Sequence, residues 1–260
     1  MDDALAPIAD FLRRDTLRNI VHLKMLQAYP DDIRGVYVED GASGGALLLL
    51  PTRVSPYDTA TYPVAKYVVL LSATDVDACA ALLPHIPADC PWVFKGDTRE
   101  REVLTRSFRT RRVTSFVSFT ARPGAGYPAN ESVVVSDEAD ERCLAIYAEH
   151  GYGREAVLRQ LAAGEALSLT VTAAGTLAAV CLTFLNFAQV WEIGGLHTLD
   201  AFRRQGHARR LVSTALNHLL ARGFLPRYQV HEDNLPSIHL AESLGLERFL
   251  TIEHHLYAPP

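Results

Sequence analysis

A glycine and an alanine follow two arginines at the point where a strand-like run gives way to an apolar helical pattern. The segment reads Arg203-Arg204-Gln205-Gly206-His207-Ala208 and is followed by Arg209. The start of a helix has backbone N–H groups without intrahelical partners and a partial positive charge, which suits a phosphate or pyrophosphate. Gly206 and Ala208 keep the approach to those groups open, and the arginines add positive charge. The segment predicts an anion site, although such residues also meet at helix starts by chance.

Side chains that could accept a proton lie on or near the strand-like run before this segment. Glu192 stands between Trp191 and Ile193, and a carboxylate among apolar residues is a candidate general base. His197 and His231, at the ends of neighbouring predicted strands, are alternative bases. Each of the three also fits a structural or surface role, with Glu192 in a salt bridge or turned to solvent.

The second half of the chain has a regular succession of predicted elements that would position these residues. Hydrophobic periodicity gives the order β-α-α-β-β-β-α-β-α-β, with short connections and a tight turn at Gly175. Asn234 is predicted to lie near the cap of the last helix, and Gly223 to end the longest one. The predicted elements are Val133–Val135, Glu138–Glu149, Arg154–Ala162, Leu167–Thr172, Leu177–Asn186, Val190–Thr198, Gly206–Arg222, Arg227–Val230, Pro236–Leu244 and Phe249–Tyr257.

The first half shows mixed α/β content without a motif. One helix is predicted over the first twenty-odd residues, and a hairpin turn over Gly41–Gly45. The other predicted elements are the strands Gly35–Glu39, Ala46–Leu50, Lys66–Leu71, Trp92–Lys95 and Val113–Thr120 and the helices Asp75–Leu83 and Thr98–Phe108. Glycines and prolines cluster over Arg122–Pro128, which predicts a linker at 123–130 between domains at 1–122 and 131–260.

Composition excludes several classes of protein. The chain has 260 residues, is 48% hydrophobic and carries a formal net charge of −5, so it can bury a core and lacks the basic surface of a nucleic-acid binder. Its four cysteines lie far apart without ligand-like spacing, which predicts reduced, buried thiols and no metal site. The acidic start Met1-Asp2-Asp3 differs from a signal peptide, and no apolar run is long enough for a membrane span. We therefore expect a cytoplasmic protein.

Two motifs together resemble a known family. Trp191–Gly223 looks like the acyl-CoA-binding motif of the GNAT superfamily of N-acyltransferases, with Arg203–Ala208 matching its Q/R-x-x-G-x-G/A signature. Asn234-x-x-Ser237 through Leu244-Gly245-Leu246 is similar to that superfamily's next motif, with Leu246 replacing the usual phenylalanine. The resemblance implies a GNAT-like mixed sheet flanked by helices in the C-terminal half. The two-part layout is similar to the glycine N-acyltransferase-like branch, whose N-terminal half resembles a degenerate copy of the fold.

The resemblance also implies a set of site residues. Glu192 takes the position of the catalytic base, and the strand after it splays from the next strand so that the pantetheine arm pairs with its backbone. Gly194-Gly195 suggests a bulge in that strand. Acetyl-CoA or another acyl-CoA is the implied co-substrate, without a metal. The residues implied to bind it are Leu196, His197, Thr198, Arg203, Arg204, Gln205, Gly206, His207, Ala208, Arg209, Asn234 and Ser237.

One position departs from the family pattern. Many members carry a tyrosine that protonates the leaving thiolate, and the matching residue here is Ala241. Ser237, His231 or a water could donate that proton, or the thiolate could leave without one. The sequence and the resemblance together predict an N-acyltransferase that acts on a primary amine, with a small molecule as the favoured acceptor. A non-catalytic acyl-CoA-binding regulator or scaffold, or an acetyltransferase of protein N-termini or lysines, remains open, as does a homodimer.

Overall fold

The computed structural model describes residues 5–259. The acidic start and Pro260 lie outside the described residues. In chain order the elements are α1 (Ala6–Arg13), α2 (Ile20–Ala28), β1 (Arg34–Asp40), β2 (Ser43–Pro51), α3 (Pro56–Thr61), β3 (Tyr67–Ala73), α4 (Val76–Leu82), β4 (Trp92–Asp97), α5 (Thr98–Ser107), β5 (Thr110–Thr120), β6 (Val133–Ser136), α6 (Glu141–Glu149), α7 (Arg154–Ala162), β7 (Ala166–Ala173), β8 (Thr176–Phe187), β9 (Val190–Thr198), α8 (His207–Ala221), β10 (Leu225–His231), α9 (Leu235–Ser243) and β11 (Glu247–Tyr257).

The chain divides into two compact units. Unit 1 contains the described residues up to Val117 and those from Leu250 onward, and unit 2 is Ser118–Phe249. The domains predicted at 1–122 and 131–260 stay a prediction, and two contacts join residues on either side of the predicted linker. The Thr120 hydroxyl, at the end of β5, donates to the Pro226 carbonyl of β10 at 2.7 Å. The last strand, β11, pairs antiparallel with β4 over Ile252–Tyr257.

Unit 1 has the strand order β1-β2-β3-β4-β11-β5. β1 and β2 form the predicted hairpin, and β3 lies parallel to β4. Trp92 stacks on Tyr257 in its core, with ring centroids 4.7 Å apart. The single predicted N-terminal helix is wrong. The chain forms two helices, α1 and α2, instead. The Asn19 side chain donates to the Leu12 carbonyl at 3.0 Å and stabilises the turn between them.

Unit 2 has the strand order β10-β9-β8-β7-β6, with parallel pairing only between β9 and β10 among these strands. α6 and α7 pack on one face of the sheet, where Tyr147, Leu161 and Leu182 share a core cluster. α8 packs against β8, β9 and β10 through its buried residues. This confirms the predicted mixed sheet flanked by helices, which brings the ends of β9 and β10 and the start of α8 together.

Two further sequence expectations can be compared with the described residues. All four cysteines are buried free thiols, as predicted. Of the helices in residues 5–259, none combines the length and apolar character that a membrane crossing requires.

Candidate active site

The connection from β9 to α8 ends in an uncapped helix start. Gly206 is the N-cap of α8 and has φ +78°, a left-handed conformation that favours glycine. No side chain caps the helix there, and a Cβ on Gly206 would meet no atom within 4 Å. Arg204 also has a positive φ, +62°. The first backbone N–H groups of this 15-residue helix therefore face open space, as an anion site requires.

Hydrogen bonds to backbone carbonyls hold this connection in shape. Arg203 pairs with Asp200 at 2.7 Å and donates to the Thr198 carbonyl at 3.3 Å. The Gln205 amide donates to the Ala201 carbonyl at 3.3 Å, and Arg210 donates to the Gln205 carbonyl at 3.0 Å. These contacts fix the backbone before a ligand binds.

The predicted anion-binding side chains take different positions around this helix start. Arg203, Arg204, Gln205 and Arg209 are exposed. The Arg209 guanidinium reaches α9, where it donates to the Ser243 carbonyl at 3.0 Å and hydroxyl at 2.9 Å. These side chains leave the N–H groups of the helix accessible.

His207 differs from the others, because its side chain is 5% exposed and lies edge-on to Phe202. Burial lowers the pKa of His207, and the nearby Arg210 lowers it further. A buried, neutral imidazole cannot contact a phosphate in the open space beyond Gly206. Only the backbone N–H of His207 is placed to contribute to the predicted site, next to that of the half-buried Ala208.

β9 and β10 part at their carboxyl ends. Their parallel register runs over three residues and ends at Glu192 opposite Arg227, whereas β9 continues to Thr198 and β10 to His231. The gap between them exposes one edge of the β9 backbone, as the resemblance implied. Leu196, His197 and Thr198, the residues predicted to pair with a pantetheine arm, are half-buried beside this gap.

The predicted bulge in β9 is confirmed at Gly195, which has φ +55°. Gly194 pairs with Leu182 and His197 with Val180, so two residues of β9 oppose one of β8. A Cβ on Gly195 would lie 3.0 Å from the Tyr147 ring, which together with the positive φ disfavours any other residue there.

Glu192 lies in a buried ion pair. Its Oε2 accepts from Arg227 at 2.7 Å and from Asn186 at 2.6 Å, and both charged side chains are less than a tenth exposed. Arg227 also donates to the Ser118 hydroxyl at 3.1 Å. The carboxylate is thus rigidly oriented at the point where β9 and β10 part. The salt bridge that the sequence left open for Glu192 is therefore present. The role of Glu192 as a base stays a prediction.

The two alternative histidines have separate surroundings. His197 Nδ1 lies 3.1 Å from His150 Nε2, and burial, the neighbouring His150 and then Arg203 lower the pKa of His197. His231 is exposed at the end of β10, and its Nδ1 accepts from the Asp233 backbone N–H at 3.2 Å.

The Asn234 motif starts α9. The Asn234 side chain caps this helix by accepting from the Ser237 N–H at 3.3 Å, as the sequence predicted. Burial raises the pKa of Tyr228 of β10 to about 12, and Ser237 lowers that pKa by a smaller amount.

Comparisons with known proteins agree with this geometry. A family model described as the Acetyltransferase (GNAT) family matches residues 139–246, a range that includes Glu192, the helix start at Gly206 and the Asn234 motif. Residues 139–246 are a GNAT acetyltransferase domain. No curated protein matched the sequence in a corresponding search. The branch of the superfamily remains a prediction.

Solved structures share the GNAT fold over nearly the whole chain. An acetyltransferase from the GNAT family from Colwellia psychrerythraea has a TM-score of 0.61 at 11% identity and covers 98% of this chain and 97% of its own. A tandem GNAT protein from the clavulanic acid biosynthesis pathway has a TM-score of 0.56 at 13% identity, with 99% and 95% covered. A GCN5-related N-acetyltransferase from Kribbella flavida has a TM-score of 0.53 at 18% identity, with 92% and 95% covered.

Unit 1 contains a run of elements in the same order as part of unit 2, but the helix start in that run is capped. β3, α4, β4 and α5 follow one another as β9, α8, β10 and α9 do, and β3 pairs parallel with β4 over three residues. However, Asp75 caps α4, and its carboxylate accepts from the Ala78 N–H at 2.9 Å. That bond is the main reason why the pKa of Asp75 is lowered. A negative charge therefore stands where α8 of the GNAT domain has open N–H groups.

Tyr152 is a residue of the GNAT domain that sequence reasoning missed. It lies between α6 and α7, and its ring packs edge-on to Phe184 at 5.6 Å. A Cβ on Gly194 would come within 2.2 Å of the Tyr152 hydroxyl, so the phenol lies against the β9 backbone. The one signal in the sequence is its position between Gly151 and Gly153.

Among the described residues, no group of three or more His, Cys, Asp or Glu side chains is arranged to hold a metal ion.

Proposed function

We propose that this protein transfers an acetyl or other acyl group from acyl-CoA to a primary amine of a small molecule. The observation that carries the proposal is the uncapped, left-handed start of α8 at Gly206, directly beside the gap between β9 and β10. One element offers backbone donors to a pyrophosphate, and the other offers a strand edge to an extended arm. A ligand that is only a phosphate would need the helix start alone, whereas acyl-CoA would use both the helix start and the strand edge.

Acyl-CoA would lie along β9 in this proposal. Its pyrophosphate accepts from the N–H groups at Arg204–Ala208, with the exposed Arg204 guanidinium adding charge. The pantetheine arm pairs with the β9 backbone at Leu196–Thr198. Asn234 and Ser237 would face the arm from the start of α9. The thioester then lies at the bulge, next to Gly194 and Gly195.

Glu192 acts as the base in this proposal. The amine attacks the thioester carbonyl, a C–N bond forms, the C–S bond breaks and the amine loses a proton to Glu192 directly or through water. Both bonds to Arg227 and Asn186 use Oε2, so Oε1 is the oxygen that we expect to take the proton. The amine acceptor is carried over from the resemblance to N-acyltransferases.

Thiol release from acyl-CoA with a panel of acceptors tests the proposal. The panel contains small primary amines, peptides with a free N-terminus and peptides with lysine, each with acetyl-CoA and longer acyl-CoAs. We expect release that depends on a small amine, and a decrease in kcat of roughly 10²- to 10⁴-fold for Glu192→Gln, the usual contribution of a positioned base.

Glu155→Gln is the matched control, because Glu155 is an exposed glutamate on α7 in the same unit. It should keep wild-type turnover. Binding of acyl-CoA without thiol release for any acceptor would contradict the proposal and support a regulator or scaffold. Thiol release with peptides alone would show that the acceptor is an amine of a protein and not of a small molecule.

A further inference from the structure

β1 lies at an outer edge of the sheet in unit 1. It is the first strand in the order, and among the described residues it pairs with β2 on one side only. Its register with β2 is continuous over Arg34–Asp40. Val36, Tyr37 and Val38 are half-buried at its centre. A long, regular strand edge with apolar residues is a template for pairing with another strand.

The backbone groups of three residues in β1 point to this outer edge. Gly44 of β2, opposite Glu39, donates its N–H to the Thr74 hydroxyl at 2.9 Å and accepts from the Thr74 N–H at 2.8 Å. Glu39 and Gly44 are therefore a pair without mutual hydrogen bonds. Because such pairs alternate along an antiparallel ladder, the N–H and C=O groups of Gly35, Tyr37 and Glu39 face away from β2.

The two ends of β1 carry opposite charges. Arg34 begins the strand and Asp40 ends it, and both are exposed. Neither side chain has an ion pair or hydrogen bond to another described residue. They are roughly 20 Å apart along the strand, so they cannot pair with each other within one chain. Charges on an edge strand commonly prevent pairing with another chain, but these two attract each other in one arrangement of two copies.

We propose that β1 pairs antiparallel with β1 of a second copy of this chain, which gives a two-fold symmetric dimer. A register centred on Tyr37 places Gly35 opposite Glu39 of the second copy, and Arg34 opposite Asp40. Each backbone group that faces the outer edge then has a partner, because Gly35, Tyr37 and Glu39 lie opposite residues of the same set. The two-fold axis passes through Tyr37, so every other contact occurs twice.

Apolar side chains meet at the centre of this register on both faces of the sheet. Val36 lies opposite Val38 of the second copy, and both valines already pack against the core of unit 1. On the other face the two Tyr37 rings meet across the axis, and each lies 5.7 Å from Phe11 of its own chain, measured between ring centroids. Cross-strand pairs of aromatic and of β-branched residues stabilise a sheet, so both faces favour the pairing.

Other pairings of the two edges are less favourable. A parallel pairing in register would place Arg34 beside Arg34 and Asp40 beside Asp40, and like charges in such positions destabilise a sheet. An antiparallel register shifted along the strand separates Arg34 from Asp40 of the second copy. It also leaves the edge groups of Gly35 or Glu39 beyond the end of the other strand. The register centred on Tyr37 satisfies the backbone and the charges together.

Charge reversal at the two strand ends tests the proposal. Sedimentation velocity at micromolar concentrations measures the dissociation constant of the dimer for wild type, Arg34→Asp, Asp40→Arg and the double variant. Each single reversal should raise that constant roughly tenfold or more, because two attractive pairs become repulsive. The double variant should regain the wild-type constant. The two positions cannot touch within one chain, so this rescue requires contact between two copies.

A mixture of the two single variants gives an independent result. Arg34→Asp and Asp40→Arg together should form a heterodimer, because each strand end then meets the opposite charge. Arg109→Asp is the matched control, since Arg109 is an exposed arginine of unit 1 outside β1, and it should keep the wild-type constant.

Glu39→Pro and Glu39→Ala separate the backbone of the edge from the side chain. Both variants lose the ion pair of Glu39 with Arg14, but proline also lacks the N–H that faces the outer edge. Only Glu39→Pro should weaken the dimer beyond the effect of the lost carboxylate. A monomeric wild type, single charge reversals that leave the dissociation constant unchanged, or equal constants for the two Glu39 variants would overturn the proposal.

Discussion

Glu192 and Arg227 form a buried ion pair at the last position where β9 and β10 still run side by side. Arg227 Nη1 lies 2.7 Å from Glu192 Oε2, and the two residues are also opposite one another in the strand register. Beyond this pair the strands part and the backbone edge of β9 is exposed. The ion pair therefore fixes both the orientation of the proposed base and the inner end of the gap.

Removing one partner of this pair should destabilise unit 2 strongly. Arg227→Met leaves the Glu192 carboxylate buried without its cation, which costs roughly 3–5 kcal/mol of the free energy of unfolding. Glu192→Gln combined with Arg227→Met should cost less than the sum of the two single changes, because the double variant has no unpaired buried charge. Chemical denaturation of the three variants measures the coupling, and additive effects would show that the pair is not formed.

Gly194→Ala should disturb the reacting end of the gap. The new methyl group would overlap the Tyr152 hydroxyl, with only 2.2 Å between them, so the ring must move at a cost of about 1–3 kcal/mol. Tyr152→Phe removes the overlapping oxygen and should restore part of the lost melting temperature in the double variant. Equal melting temperatures for Gly194→Ala and wild type would contradict the close contact.

Unit 1 should lose stability on acidification. Burial lowers the pKa of His22 to about 4 and that of His254 to about 3, against about 6.5 in an unfolded chain. The unfolded state then takes up protons first, so stability falls as the pH drops below about 6.5. The loss attributable to His22 is about 2 kcal/mol at pH 5.

Denaturation at pH 7 and pH 5 checks this expectation, with Trp92 as the reporter of unit 1. Trp191→Phe serves as the background, because the chain has two tryptophans and Trp191 lies in unit 2. His22→Leu should remove about half of the acid loss that the two histidines cause, whereas His85→Gln, at an exposed position of unit 1, should leave it unchanged. A stability that does not vary between pH 7 and pH 5 would contradict the burial of these imidazoles.

The protein should bind one acyl-CoA per chain. Asp75 places a carboxylate at the start of α4, which disfavours a pyrophosphate there, whereas Gly206 leaves the N–H groups at the start of α8 open. Titration calorimetry with acetyl-CoA measures the stoichiometry. Two equivalent sites per chain would contradict the assignment of the site to unit 2 alone.

Local signals in the sequence predicted most of unit 2. The apolar stripe of α8, the breakers at its ends and the Asn234 cap gave element positions that the structure reproduces within a few residues. Gly194-Gly195 predicted the bulge, because glycine in a strand marks irregular backbone. One short helix was not predicted. The helix α3 begins at Pro56 after the capping Ser55, and this Ser-Pro pair is a local signal for a helix start.

Long-range pairing could not be derived from local patterns. Nothing near Arg227 in the sequence indicates that it pairs with Glu192, which is 35 positions away. The same holds for the Tyr152 hydroxyl beside Gly194, because this contact depends on how the segment between α6 and α7 packs on β9. Likewise, the Thr120 hydroxyl and the Pro226 carbonyl that it contacts are 106 positions apart in the sequence.

The most direct test of the account is the effect of acetyl-CoA on the melting temperature of wild type, Gly206→Glu and Gly223→Glu. Both glycines have a left-handed φ and open space around them, at opposite ends of α8, so the two changes impose similar strain. We expect acetyl-CoA to raise the melting temperature of wild type and of Gly223→Glu, and not that of Gly206→Glu, whose carboxylate would occupy the pyrophosphate site. No shift for wild type with any acyl-CoA, or an undiminished shift for Gly206→Glu, would contradict an acyl-CoA site at the start of α8.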